Sequence, residues 1–145
     1  MLCENFEFLN DVELRFEGKI VSLKGFYEFS SCLSYPLDKK VSLNFEPCYP
    51  IDSNKMADYP VTMEFLGVGK LSTSLNFPDM QRETGGLLYT GFKPPEDEDM
   101  SHFQDHDMAS PDDHFVFFFD PFGYIRIGAQ SCRLTRRTPT LHSMS

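Results

Sequence analysis

Three histidines set among carboxylates, His102, His106 and His114 with Asp105 and Asp107 between them, are the residues whose types most invite chemistry. Imidazole nitrogens and carboxylate oxygens are ligands of zinc and of harder cations. On a helix, His102 and His106 would share one face. Phe103, however, stands where a zinc protease carries Glu, and Met100, Ser101 and Ser110-Pro111 disfavour a helix there. Asp97-Glu98-Asp99 lacks the glycine and the closing glutamate of an EF-hand loop. The sequence thus offers no metal site and no cofactor site that its spacing supports, and a metal-dependent protein using the His/Asp loop stays an alternative. Imidazoles in so acidic a stretch are expected to have raised pKa values.

Other catalytic arrangements are not spelled out. There is no Gly-x-Ser-x-Gly, no phosphate-cradling or dinucleotide glycine pattern, and Gly85-Gly86 alone carries little. Glu13, Glu17 and Glu28 are exposed-type acids on early strands, not an evident glycosidase pair. No enzymatic activity is expected. Cys3, Cys32, Cys48 and Cys132 show no C-x-x-C spacing and read as free, partly buried thiols.

The charge layout is more informative. Between Lys93 and Asp113 stand eight acids, Glu96, Asp97, Glu98, Asp99, Asp105, Asp107, Asp112 and Asp113, against one base, while the whole chain carries −9. Such a loop repels itself and should be extended and solvated. It suits a basic protein partner, for which it would act as electrostatic bait, with Phe92 at its start as an aromatic anchor. Tyr35, Tyr49 and Tyr59 are further loop aromatics of that kind. The same acidity argues against general nucleic-acid or anionic-membrane binding. Arg133, Arg136 and Arg137 form a basic cluster expected to pair with the protein's own carboxylates or to guard a sheet edge. No run reaches the length of a membrane span, and the N-terminus carries acids where a secretory signal carries bases, so a cytoplasmic protein is expected.

These residues must be positioned by strands. The chain, 145 residues with 15 Phe and no Trp, is long enough for a core without staples, and that core should be phenyl-rich. Five consecutive apolar residues, Phe115 to Phe119, leave no polar face, so a strand here must be covered on both sides. Asp120-Pro121-Phe122-Gly123 has turn chemistry, and Tyr124 to Ile127 resumes as strand, which predicts a hairpin central to a sheet. Its second strand is expected to run on through Ala129 and Cys132 to Leu134. Val12, Leu14 and Phe16 alternate with Glu13, Arg15 and Glu17, and Gly18 marks a turn into a return strand from Ile20 to Phe29 with a bend at Gly25. Ser30 to Asp38 reads as loop. Val41 to Phe45, Val61 to Phe65, Leu71 to Phe77 and Leu87 to Thr90 read as further strands. No apolar stripe of helical period appears. The expected fold is mainly β: one antiparallel sandwich or barrel-like domain of about eight strands with little helix over residues 1–137, and a flexible tail at 138–145.

Phe8-Leu9-Asn10-Asp11-Val12-Glu13-Leu14 leading into alternating strands, the acidic loop, and the closing Phe122-Gly123-Tyr124-Ile125-Arg126-Ile127 strand together resemble the immunity proteins of bacterial polymorphic-toxin and contact-dependent growth-inhibition systems. The resemblance is one of type and implies a small cytoplasmic inhibitor that binds a cognate toxin domain, commonly a nuclease. A β-barrel or sandwich binding a small apolar ligand is the other reading.

Overall fold

The computed structural model describes residues 1–24, 26–47, 55–74, 87–100, 110–119 and 123–137. His102, Asp105, His106, Asp107, Tyr49, Cys48, the turn at 120–122 and the tail at 138–145 lie outside the described residues. The chain is mainly β; among the described residues three sheets pack together and none closes into a barrel.

Twelve strands appear among the described residues: β1 (Leu2–Cys3), β2 (Phe6–Phe8), β3 (Glu13–Phe16), β4 (Lys19–Ser22), β5 (Tyr27–Tyr35), β6 (Lys40–Pro47), β7 (Val61–Leu66), β8 (Lys70–Thr73), β9 (Leu87–Lys93), β10 (His114–Phe119), β11 (Gly123–Gly128) and β12 (Ser131–Arg136). The excess over eight has local causes. The opening residues form two short strands, the return strand expected from Ile20 to Phe29 is broken into β4 and β5, which belong to different sheets, and the strand expected from Tyr124 to Leu134 is parted into β11 and β12. Ser30 to Tyr35, expected as loop, instead continues β5 after a register shift between Phe29 and Ser31. Serine-rich strand is hard to tell from loop by composition, because the pairing partner, here β6, lies elsewhere in the chain. One turn of 3₁₀ helix follows at Pro36–Asp38.

The strands pair as a five-stranded sheet in the order β1-β12-β7-β6-β5, a four-stranded sheet β8-β11-β10-β9, and a three-stranded sheet β2-β3-β4. The β10–β11 hairpin forms the interior of the four-stranded sheet with Phe117 opposite Ile125. Its second strand does not run on: β11 ends at Gly128, and β12 belongs to the five-stranded sheet, antiparallel to β7. A chain that turns from one sheet into the other at Ala129-Gln130 keeps the apolar pattern of one long strand, so periodicity alone hides the corner.

Alternation decides what fills the space between the sheets. Val41, Leu43 and Phe45 of β6 and Val61, Met63 and Phe65 of β7 are fully buried and face Phe115, Phe117 and Phe119 of β10. The Phe65 ring lies edge-on to Phe115 and Phe117 at centroid distances of 5.8 and 6.1 Å, and Phe29 meets Phe119 at 5.1 Å. Each such pair adds about 1 kcal/mol beyond burial itself. The three-stranded sheet joins this core through Phe8, whose ring touches Phe92 and Phe115. Its β3–β4 turn is made by Glu17 and Gly18, both at positive φ (54° and 76°), the backbone of a two-residue hairpin.

Candidate protein-binding site

The other face of β10 explains why the phenylalanine run needs cover on both sides. Val116 is 0% exposed although it points away from Phe115 and Phe117. Cross-strand register sets Val116 opposite Arg126 and His114 opposite Lys93, so this outer face carries an imidazole, a guanidinium and an ammonium. Lys93 and Arg126 are nonetheless almost entirely buried, at 0% and 3%. Charges are tolerated there only if their donors are satisfied.

They are satisfied by the acidic segment itself. Residues 94–100 fold back, closed by a bond from the Asp97 amide to the Pro94 carbonyl at 3.0 Å. Arg126 Nη1 donates to the Asp97 carbonyl at 2.6 Å, and Nη2 donates to the Pro94 carbonyl at 3.0 Å. Arg126 Nε donates to His114 Nδ1 at 3.0 Å. Lys93 Nζ pairs with Asp97 Oδ2 at 3.1 Å, and Asp97 Oδ1 accepts the Asp99 amide at 3.0 Å. The expectation of an extended, solvated loop is corrected over residues 94–100. Mutual repulsion of the carboxylates is outweighed because two buried cations, Lys93 at the end of the preceding strand and Arg126 from a distant one, grip one carboxylate and the backbone.

Because His114 Nδ1 accepts from Arg126, the ring is held neutral with its proton on Nε2. Burial, then Arg126 and Lys70, lower its pKa, against an opposing pull from Asp113 and Glu96. This reverses the raised value expected from the acids alone: in space, cations and burial dominate. Gly128 lies against the same ring, where an added Cβ would sit 2.6 Å from Nε2. His114 and Gly128 also line an open cleft of about 510 Å³ with Lys70, Asp112 and Gln130.

The acids and Phe92 divide into three groups. Glu96, Glu98, Asp99 and Asp112 are exposed, and Glu98 stands 4.0 Å from Lys70. Asp97 is half-buried and anchors the segment, while Asp113 is 4% exposed and accepts the Ser110 amide at 2.9 Å, closing a turn. Phe92 is a correction: it lies within β9, not in a loop, at 5% exposure against Phe8 and Phe115. A strand of seven residues carries it into the core before the acidic segment begins. Tyr59 is likewise buried, its ring under Arg136 at 4.1 Å, whereas Tyr35 is 41% exposed. Arg133 pairs with Glu64 at 2.9 Å and Arg137 with Glu46 at 2.7 Å, as expected of that basic cluster.

No family model, curated protein or solved structure matches this chain. Among the described residues no helix is long and apolar enough to cross a membrane, and no three His, Cys, Asp or Glu side chains gather as a metal site. What the sequence did not reveal is Arg126 and Lys93 as anchors. Their only sequence signal is a cation placed on the fully covered side of an apolar strand pair.

Proposed function

We propose that this chain is a non-enzymatic, cytoplasmic binding protein whose acidic segment docks on a basic protein partner, and that the partner is a toxin domain of nuclease type which the chain neutralises as an immunity protein. One observation carries the reading: Arg126 and Lys93 consume backbone carbonyls and the Asp97 carboxylate, while Glu96, Glu98 and Asp99 are turned out to solvent. An acidic display held in place loses less freedom on binding than a free loop would, so more of the interaction energy appears as affinity. Nucleases suit it as partners because a surface that holds phosphates is cationic. The chain's −9 charge then accelerates encounter over distances of about the Debye length.

The test is a stopped-flow measurement of association with the toxin domain encoded by the adjacent reading frame. The triple variant Glu96→Lys, Glu98→Lys, Asp99→Lys should lower the association rate by about tenfold or more at low salt, and added salt should erase most of the difference. An association rate indifferent to both the substitutions and the salt would remove the proposal.

A further inference from the structure

We propose that Cys3 and Cys132 form a redox clasp, a dithiol that closes to a disulfide and ties the N-terminal strand β1 to β12. The two strands run parallel with Cys3 directly in register with Cys132. The register is fixed on both sides, by the Glu4 amide on the Cys132 carbonyl at 2.9 Å and the Leu2 amide on the Gln130 carbonyl at 3.1 Å. Residues in register on adjacent strands send their side chains to the same face. Here that face is the core: Cys132 is fully buried within it and Cys3 packs against it, half-buried. Paired strands lie about 4.7–4.9 Å apart, inside the roughly 4.4–6.8 Å that the Cα atoms of a disulfide span. Cys32 sits on β5, at the opposite edge of the five-stranded sheet, and cannot compete for Cys132.

The chemistry follows from unequal access. The more exposed Cys3 thiolate attacks a low-molecular-weight disulfide of the glutathione type, forming a mixed disulfide and expelling one thiol. Cys132 then attacks the Cys3 sulfur and expels the second. The protein loses two protons and two electrons, and the reagent is reduced to two thiols. Burial raises the pKa of both cysteines, partly offset at Cys3 by the N-terminal ammonium and reinforced at Cys132 by Cys3, Glu4 and Glu64, so the clasp closes faster as pH rises. Once closed it bounds a loop from residue 3 to residue 132, nearly the whole described chain, where a cross-link constrains the unfolded state most.

The full chain, folded, is incubated with glutathione disulfide at mildly alkaline pH and followed by intact mass, peptide mapping and thermal melting. The expected result is a mass lower by two hydrogen atoms, a Cys3–Cys132 linked peptide, and a melting temperature higher by about 5 °C or more that dithiothreitol reverses. Cys3→Ser should abolish the linked peptide and the melting shift, whereas Cys32→Ser should keep both. A Cys3 that stays a thiol, a glutathione adduct that persists on Cys3, or a linked peptide joining either residue to another cysteine overturns the proposal. None of these outcomes depends on a partner, so the clasp and the proposed function stand or fall separately.

Discussion

The outer faces of the two larger sheets solve the same problem in opposite ways. On the five-stranded sheet, the residues alternating with the core positions of β6 and β7 are polar. Thr62 Oγ1 donates to Asn44 Oδ1 at 2.6 Å and Asn44 Nδ2 donates to Ser31 Oγ at 2.8 Å, a ladder across β7, β6 and β5. Glu64 accepts from Arg133 and Thr135 beside it, and Leu33 and Tyr35 are exposed on the same face. Water reaches Ser31, Asn44, Glu64 and Arg133, whereas Thr62 is itself buried and satisfied by its neighbour. On the four-stranded sheet the corresponding positions hold Lys93, Val116 and Arg126, all buried, and the two cations are bonded to the acidic segment. There nothing but protein can satisfy the charges, so the segment is obliged to fold down. A solvated face tolerates change; a covered face with embedded cations dictates the conformation of whatever covers it.

The contrast is broken most directly by Arg126→Met. Removing the donor leaves the carbonyls of Pro94 and Asp97 without their buried partner, for an expected loss of about 3 kcal/mol in urea unfolding. Hydrogen exchange should rise across residues 94–100 and hardly change in β6 and β7. Equal loss of protection in both sheets would refute the division into two faces. Gly128→Ala acts one step removed, by pushing the His114 ring off Arg126 Nε. It should cost about 2 kcal/mol, and Gly128→Ala combined with His114→Ala should recover part of that by removing the clash.

pH sharpens the comparison. His114 has a folded pKa below its ordinary 6.5, so the unfolded chain binds its proton first. The stability linked to the neutral ring is complete above pH 6.5 and is lost as pH falls from there towards the folded value. A titration of the urea midpoint should show this fall in the native protein, and His114→Gln should flatten it. The smallest effects belong to the open face. Thr62→Val should cost about 1 kcal/mol, one neutral hydrogen bond to Asn44, and Arg133→Ala about 0.5 kcal/mol, because water takes up its exposed ion pair.

Much of the scaffold was legible because it rests on local pattern. The alternation of Leu14 and Phe16 with Arg15, the turn at Gly18 and the all-apolar Phe115–Phe119 run each announce a strand that the fold then shows, the turn taking in Glu17 as well. The candidate site was legible only as charge. That Glu96, Glu98 and Asp99 stay outside while Asp97 and Asp113 turn inward follows from the local bonds of Lys93 to Asp97 and of the Ser110 amide to Asp113, together with the distant Arg126, whose grip on the Pro94 and Asp97 carbonyls no spacing encodes.

By itself, then, the sequence determined a phenyl-filled β protein with its surplus negative charge gathered into one segment, because side-chain period and composition are properties of neighbouring residues. The tertiary structure alone decided that β11 and β12 part into different sheets, that Phe92 is core, that His114 is neutral, and that the acidic segment is pinned. Each of these depends on groups brought together from distant parts of the chain, where a buried charge must find its partner and an exposed one need not.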